Sequence, residues 1–245
     1  MTLPPIQQSA STALAVPVLP PQQEVTGDHE LDAVLWLRQV IETGQAALID
    51  KAMEAAKRIK TPLKTLEDRY AKHLVSQNPR KPFAAFDSFG FADLDGLAKS
   101  SVQKLARQHE ALARFGTVDS LFANTPAETF ATDVLRGCKR DKSSCWYDDV
   151  AADKRFNART DLLPHTLSDC LYELAYWHDL YWLRSVHDYG DQTNEAYARE
   201  QFAFRCLGRI RPRSKAEAIA VFRYLAEHEK MDDSETEGIL LNLIG

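Results

Sequence analysis

The chain has 245 residues, of which 44% are apolar and 27% charged, with a formal net charge of −5. This is the composition of an ordinary folded protein, and its slightly acidic balance does not indicate a generally nucleic-acid-binding surface. Glycine is scarce at 10 residues, and Ala, Leu, Glu, Lys and Arg dominate without long alternating runs of Val, Ile and Thr. The sequence therefore predicts an all-α fold, a multi-helix bundle.

Cysteine usage and the first residues indicate a compartment. Four cysteines are spread through the chain rather than grouped at short spacings. This pattern is not typical of a disulfide scaffold and predicts a reducing, cytoplasmic setting. No Lys or Arg precedes the first apolar residues, and prolines interrupt them, so we expect neither a signal peptide nor a membrane anchor.

The first half is predicted to be a tail followed by closely spaced helices. Residues 1–27 are rich in Pro, Gln, Ser and Thr, which predicts a disordered tail. An N-terminal helical region is expected over residues 28–136. Its apolar periodicity and capping signals predict helices at 28–42, 45–59, 63–75 and 91–115, and one or two more within 118–135.

A loop over residues 77–90 carries two prolines and three phenylalanines, QNPRKPFAAFDSFG. We expect these aromatic side chains to pack the loop onto the helical body. The alternative is a binding hook for a partner, because functional residues are often placed on loops.

The second half is predicted to be a helical bundle over residues 166–245, on the same core as the first half or an adjoining one. An irregular connector is expected over 137–165, where charge, two cysteines and Ser-Ser interrupt the helical pattern. The central helix is predicted at 167–190, because it is apolar on almost every side, with Thr166 or Ser168 as its cap. Further helices are expected at 193–207, 214–229 and 234–243.

One candidate site is a helix-turn-helix unit near residues 51–81. This segment holds nine Lys and Arg against three Asp and Glu, a balance that suits phosphate contacts. The alternative is a pair of ordinary bundle helices joined by a Thr-Pro turn. If the unit binds nucleic acid, the contacts are expected from Lys57, Arg58, Lys60 and Lys64.

A second basic segment runs from Arg199 to Arg223, with interleaved phenylalanines. Its turn carries three arginines, whose planar guanidinium groups suit phosphates or carboxylates. They are predicted to contact nucleic acid or another anion, or alternatively to pair with the acidic residues between Glu227 and Glu237. The three are Arg209, Arg211 and Arg213.

Two metal hypotheses follow from cysteine and histidine placement. A zinc site would need four converging ligands, and the set available is Cys138, Cys145, His165 and Cys170. The pairs His178-Asp179 and His187-Asp188 are of the kind that HD-type metal-dependent phosphohydrolases use. Nine residues correspond to about 900° of helical rotation, so the two histidines face opposite ways and cannot form one site.

The sequence thus predicts a non-enzymatic interaction or regulatory protein of the cytoplasm, with a protein partner or a homo-oligomer, no cofactor and no membrane association. A DNA-binding regulator is the alternative, and an HD-like hydrolase the third hypothesis. Phosphate-binding glycine loops and the GxSxG, HExxH and CxxC motifs are not present in the sequence.

Overall fold

A computed structural model describes residues 1–7, 19–81, 83–141, 145–187 and 192–245. These residues form an all-α protein, which confirms the predicted fold class. They contain no β-strand, only an isolated bridge between Arg140 and Tyr147. Within the same residues, no helix is both long enough and apolar enough to cross a membrane.

The chain divides into two compact units, and the division falls within a helix. The first unit contains the described residues 19–110, and the second contains residues 1–7 with 111–245. Helix α4 crosses the division, at a different place from the predicted connector over 137–165. The helices are α1 (His29–Glu42), α2 (Ala46–Ala56), α3 (Leu63–Gln77), α4 (Leu94–Phe115), α5 (Val118–Phe122), α6 (Pro126–Leu135), α7 (Asp149–Asn157), α8 (Leu167–Ser185), α9 (Asn194–Cys206), α10 (Lys215–Glu227) and α11 (Thr236–Ile244).

The predicted connector differs from the expectation of irregular structure. It contains α7 and a short 3-10 helix, Thr160–Leu162. Asp148 caps α7 by accepting a hydrogen bond from the backbone N–H of Ala151. The buried Phe156 of α7 belongs to the core of the second unit, so this segment contributes to packing as well as to connection.

The described parts of residues 1–27 contain no helix, and both parts contact the helices. In the second unit, Leu3 packs with Phe115, and the backbone N–H of Gln7 donates to the carbonyl of Ala113. In the first unit, the indole N–H of Trp36 donates to the carbonyl of Pro20 at 2.8 Å. The part of the predicted tail at 8–18 lies outside the described residues.

Helix α1 is the centre of the first unit, because it packs against both α2 and α3. Its apolar residues pack against two different groups of residues, one near each end of the helix. Near its C-terminal end, Leu37, Val40 and Ile41 pack with residues of α2 and with Leu94. Closer to its start, Leu31 and Val34 pack with Leu66, Phe91 and other residues around α3.

The turn between α1 and α2 is held close to α4 by a glycine. Gly44 has φ = +71°, a conformation that side chains with a Cβ rarely adopt. A Cβ at this position would also lie 2.6 Å from the carbonyl oxygen of Ser101. Any other residue would therefore push the α1–α2 turn away from α4.

Helix α8 is the predicted central helix, and it packs against α9 and α10 in the core of the second unit. Thr166 caps it, and Asp169 completes the capping box. The helix ends at Ser185, and residues 188–190 of the predicted span lie outside the described residues. Tyr181 and Trp182 of this helix are 43% and 39% exposed, although the helix was expected to be buried because it is apolar on almost every side.

A buried arginine lies inside the second unit among three aromatic rings. Arg199 of α9 is 1% exposed, and its Nε and Nη2 donate to Glu173 of α8 at 2.6 and 2.8 Å. Its guanidinium carbon lies 5.0–5.6 Å from three phenylalanine ring centroids, within cation–π range. We call this cluster the arginine cage: Arg199 with Phe130, Phe156 and Phe202.

Candidate docking surface

Three phenylalanines of the first unit form an exposed row, which we call the phenylalanine row: Phe83, Phe86 and Phe89. Their exposed fractions are 69%, 55% and 73%. The ring centroids are 5.5 Å apart for the first pair and 5.1 Å for the second, with interplanar angles of 15° and 31°. The prediction that these rings pack the loop onto the helical body is therefore wrong.

The row has a definite geometry because of the backbone beneath it. Residues Ala84–Ser88 form a 3-10 helix, with Phe83 and Phe89 at its two ends. The N–H of Phe86 donates to the carbonyl of Phe83, and the N–H of Phe89 to that of Phe86. A 3-10 helix has three residues per turn, so side chains three positions apart lie directly above one another. The spacing F-x-x-F-x-x-F therefore produces a stack.

The opposite side of this 3-10 helix is buried. Ala84 and Ser88 are 5% and 4% exposed, and the segment packs against α3. Both side chains are small, which allows the 3-10 backbone to approach α3 closely. The inner face therefore anchors the segment, while the outer face presents large apolar rings to solvent.

The residues after the row are held by further contacts. Gly90, at φ = +73°, turns the chain, and the Phe91 side chain is buried against Tyr70 with ring centroids 5.1 Å apart. The guanidinium of Arg38 donates to the carbonyls of Gly90 and Phe91 at 2.9 and 2.8 Å. Phe91 is therefore buried, unlike the three phenylalanines of the row, and it precedes α4, which begins at Leu94 rather than at residue 91.

A carboxylate completes this support. Glu67 of α3 accepts a hydrogen bond from the backbone N–H of Ala92 at 3.1 Å. The ammonium of Lys64 bonds the same carboxylate and holds the pKa of Glu67 below its ordinary value, against the effect of burial. Arg38 and Glu67 thus fix the chain just beyond the row.

Charged side chains lie before the row and within it in sequence. Arg80 and Lys81 precede it and are exposed, and Asp87 lies between its second and third rings and is also exposed. The segment therefore combines three apolar rings with two exposed cations and one exposed carboxylate.

The first basic segment lies in the first unit, and all four of its predicted contact residues are exposed: Lys57, Arg58, Lys60 and Lys64. Lys57 forms an ion pair with Glu54, and Lys64 with Glu67. In α3 of this segment, Leu66 is buried whereas the neighbouring Thr65 is exposed. The nucleic-acid role of these four residues stays a prediction.

The second basic segment lies in the second unit, where two of its arginines pair with carboxylates. Arg209 bonds Asp153, which also binds the buried Arg205, and Arg213 bonds Glu217. Their partners therefore lie outside the acidic stretch from Glu227 to Glu237. Arg211 is exposed. The predicted anion contacts at these arginines stay a prediction.

The metal hypotheses receive no support from the described residues, among which no three His, Cys, Asp or Glu side chains form a group that could hold a metal ion. Of the predicted zinc set Cys138, Cys145, His165 and Cys170, the second and third are exposed and the last is fully buried. His178 instead forms an edge-to-face contact with His228, with ring centroids 4.6 Å apart. Asp188 lies outside the described residues.

The sequence contained a signal for the phenylalanine row, because a phenylalanine occurs at every third residue there. In an α-helix this spacing would keep apolar residues near one face, which is usually the buried face. The two prolines before the row predicted a loop, so its 3-10 period was missed.

No protein-family model matches the chain, and no significant match was found among curated proteins or solved structures.

Proposed function

We propose that the protein is a non-enzymatic interaction protein that docks a protein partner through the phenylalanine row. The observation that supports this is the row itself: three neighbouring aromatic rings, each more than half exposed, on a backbone anchored from behind. Contiguous exposed apolar patches of this kind commonly mark interaction sites in water-soluble proteins.

Exposure of three phenylalanine rings to water is unfavourable until a partner covers them. A buried phenylalanine removes on the order of 150–250 Å² from water, and each Å² contributes about 25 cal/mol. Aromatic residues fixed in one conformation also lose little entropy on binding, and they are enriched among the residues that dominate binding energy. The 3-10 helix beneath the row is held in one conformation, because the buried Ala84 and Ser88 anchor its inner face.

Site-specific photo-crosslinking tests the proposal. Benzoylphenylalanine replaces Phe86 in the full chain, in cells that naturally express it, and Phe222 in a matched control. Phe222 is also an exposed helical phenylalanine, at 50%, but it belongs to the second unit.

We expect a discrete crosslinked protein product at position 86, lost when Phe83→Ser and Phe89→Ser are added, and a different or empty pattern at position 222. Absence of a product at 86, or the same products at both positions, would overturn the docking proposal. Circular dichroism and thermal unfolding of each variant confirm that the fold is retained.

A further inference from the structure

We infer that the partner element which covers the phenylalanine row is an acidic amphipathic α-helix. This inference rests on the proposed docking function and adds the class of the partner. Three properties of the row carry it: the spacing of the rings, the area they expose and the charge around them.

The spacing of the rings matches a helix better than a strand. The centroids are 5.5 and 5.1 Å apart, and an α-helix advances about 5.4 Å per turn. Apolar side chains at i, i+3 or i+4, and i+7 of a partner helix would thus meet successive rings in register. Same-face side chains of a β-strand are about 6.6–6.8 Å apart, so a strand would lose register by the third ring.

The same spacing disfavours nucleic acid as the occupant. Successive nucleotides of a strand are about 3.4 Å apart, so a base inserted between two rings would need a gap of about 7 Å. The centroids of neighbouring rings of the row are closer than that, at 5.5 and 5.1 Å. Stacking of bases on aromatic faces is therefore restricted to the two ends of the row.

The exposed area suits a short element rather than a second copy of the chain. With the exposed fractions given above, the three side chains present roughly 400 Å² to solvent. A standard stable interface buries about 800 Å² on each partner. A single helix of three or four turns lying along the row, with its flanks on neighbouring residues, is of the right size.

The charge around the row favours an acidic helix. Arg80 and Lys81 are exposed immediately before the first ring, and they would attract partner carboxylates. Asp87 is exposed between the second and third rings in sequence, so the two cations outnumber the one carboxylate.

Peptide selection on the full chain tests the inference. A display library of random 16-residue peptides is panned on the wild-type protein, after subtraction on a Phe83→Ser, Phe86→Ser, Phe89→Ser variant. We expect selected peptides with apolar residues at i, i+3 or i+4, and i+7, and with an excess of Asp and Glu. Fluorescence polarisation of a selected peptide should show at least tenfold weaker binding to Phe86→Ser, and a threefold to fivefold loss for Arg80→Ala with Lys81→Ala.

Each other outcome overturns the inference. Peptides with apolar residues at every second position would replace the helix with a strand, and basic peptides would refute the charge argument. Binding of a labelled dT20 oligonucleotide that is lost in the triple variant would identify nucleic acid, and concentration-dependent dimerisation lost in that variant would identify a second copy. If photo-crosslinking at position 86 traps a protein but no helical peptide is selected, the docking proposal is retained and the helical partner is refuted. If neither experiment gives the expected result, the docking proposal and the helical partner are both refuted.

Discussion

Each of the two units contains a group of three phenylalanines, and the two groups have opposite surroundings. In the arginine cage, three phenylalanines enclose a guanidinium that is 1% exposed and bonded to Glu173. In the phenylalanine row, three rings stand in solvent above a buried backbone. The rings of the cage come from helices α6, α7 and α9, whereas the rings of the row come from one short 3-10 helix and the residues at its two ends. In this protein, the three rings that different helices contribute surround a buried guanidinium. The three rings that one short segment contributes are exposed and contact one another.

The largest effect is expected from breaking the ion pair of the arginine cage. Glu173→Ala leaves the Arg199 charge buried without its carboxylate, which should lower the free energy of unfolding by about 3–5 kcal/mol. Chemical denaturation at neutral pH measures this. The double variant Glu173→Met with Arg199→Met removes both charges and should recover much of the loss; a double variant no more stable than Glu173→Ala would contradict the unpaired-charge explanation.

A smaller effect is expected at another buried ion pair of this unit. Asp153 accepts from Arg205, which is 8% exposed in its side chain, and from Arg209, which is 49% exposed. Asp153→Asn should destabilise the fold by about 1–3 kcal/mol, because Arg205 loses a buried charged partner. Arg209→Ala, with an exposed cation, should cost less than about 1 kcal/mol in the same denaturation series. Equal losses would mean that burial does not set the strength of these pairs.

The Arg213–Glu217 pair should appear as a dependence of stability on pH. The guanidinium of Arg213 and its backbone N–H lower the pKa of Glu217 from its ordinary value of 4.5 to about 2. A carboxyl with a depressed folded-state pKa stabilises the fold above about pH 4.5, and this contribution is lost as pH falls toward 2.

Urea denaturation at several pH values between 2 and 5 measures this loss. Glu217→Gln should remove the part of the pH dependence that Glu217 carries, whereas the exposed Glu227→Gln serves as the control. An unchanged profile in Glu217→Gln would contradict the assignment.

The smallest effect on stability is expected in the phenylalanine row. Phe86→Ser removes a ring that is 55% exposed, so the free energy of unfolding should change by no more than about 0.5 kcal/mol. Phe202→Ala in the arginine cage, where the ring is fully buried, should cost about 3–5 kcal/mol. Thermal or chemical denaturation of both variants tests the contrast between the two groups, and similar losses would show that the row belongs to the core.

Local patterns predicted the helices well, because periodicity and capping act over a few residues. The start of α8 at Thr166 and the position of α10 after Ser214 follow such signals. Even there, tertiary contacts changed the details. Glu217 lies three residues after Ser214, the position at which a capping box would use its carboxylate, but that carboxylate accepts from the backbone and guanidinium of Arg213 and from the hydroxyl of Ser168.

The candidate site was harder to predict, because exposure depends on which side of a segment the rest of the chain covers. The sequence around Phe86 offers both large rings and small side chains for burial, and the structure buries the small ones. The pairing of Arg205 with Asp153 likewise joins residues 52 positions apart. The contact between Arg205 and Asp153 depends on the packing of α7 against α9, and a local sequence pattern carries no information about that packing.

The hydrogen bond between Trp36 and Pro20 gives the first unit an optical reporter. The other three tryptophans, at 146, 177 and 182, all lie in the second unit. Indole emission from residue 36 therefore reports separately on the first unit, and its wavelength depends on whether residues 19–27 remain against α1. Replacing the other three indoles by phenylalanine would leave a chain whose fluorescence describes one unit alone.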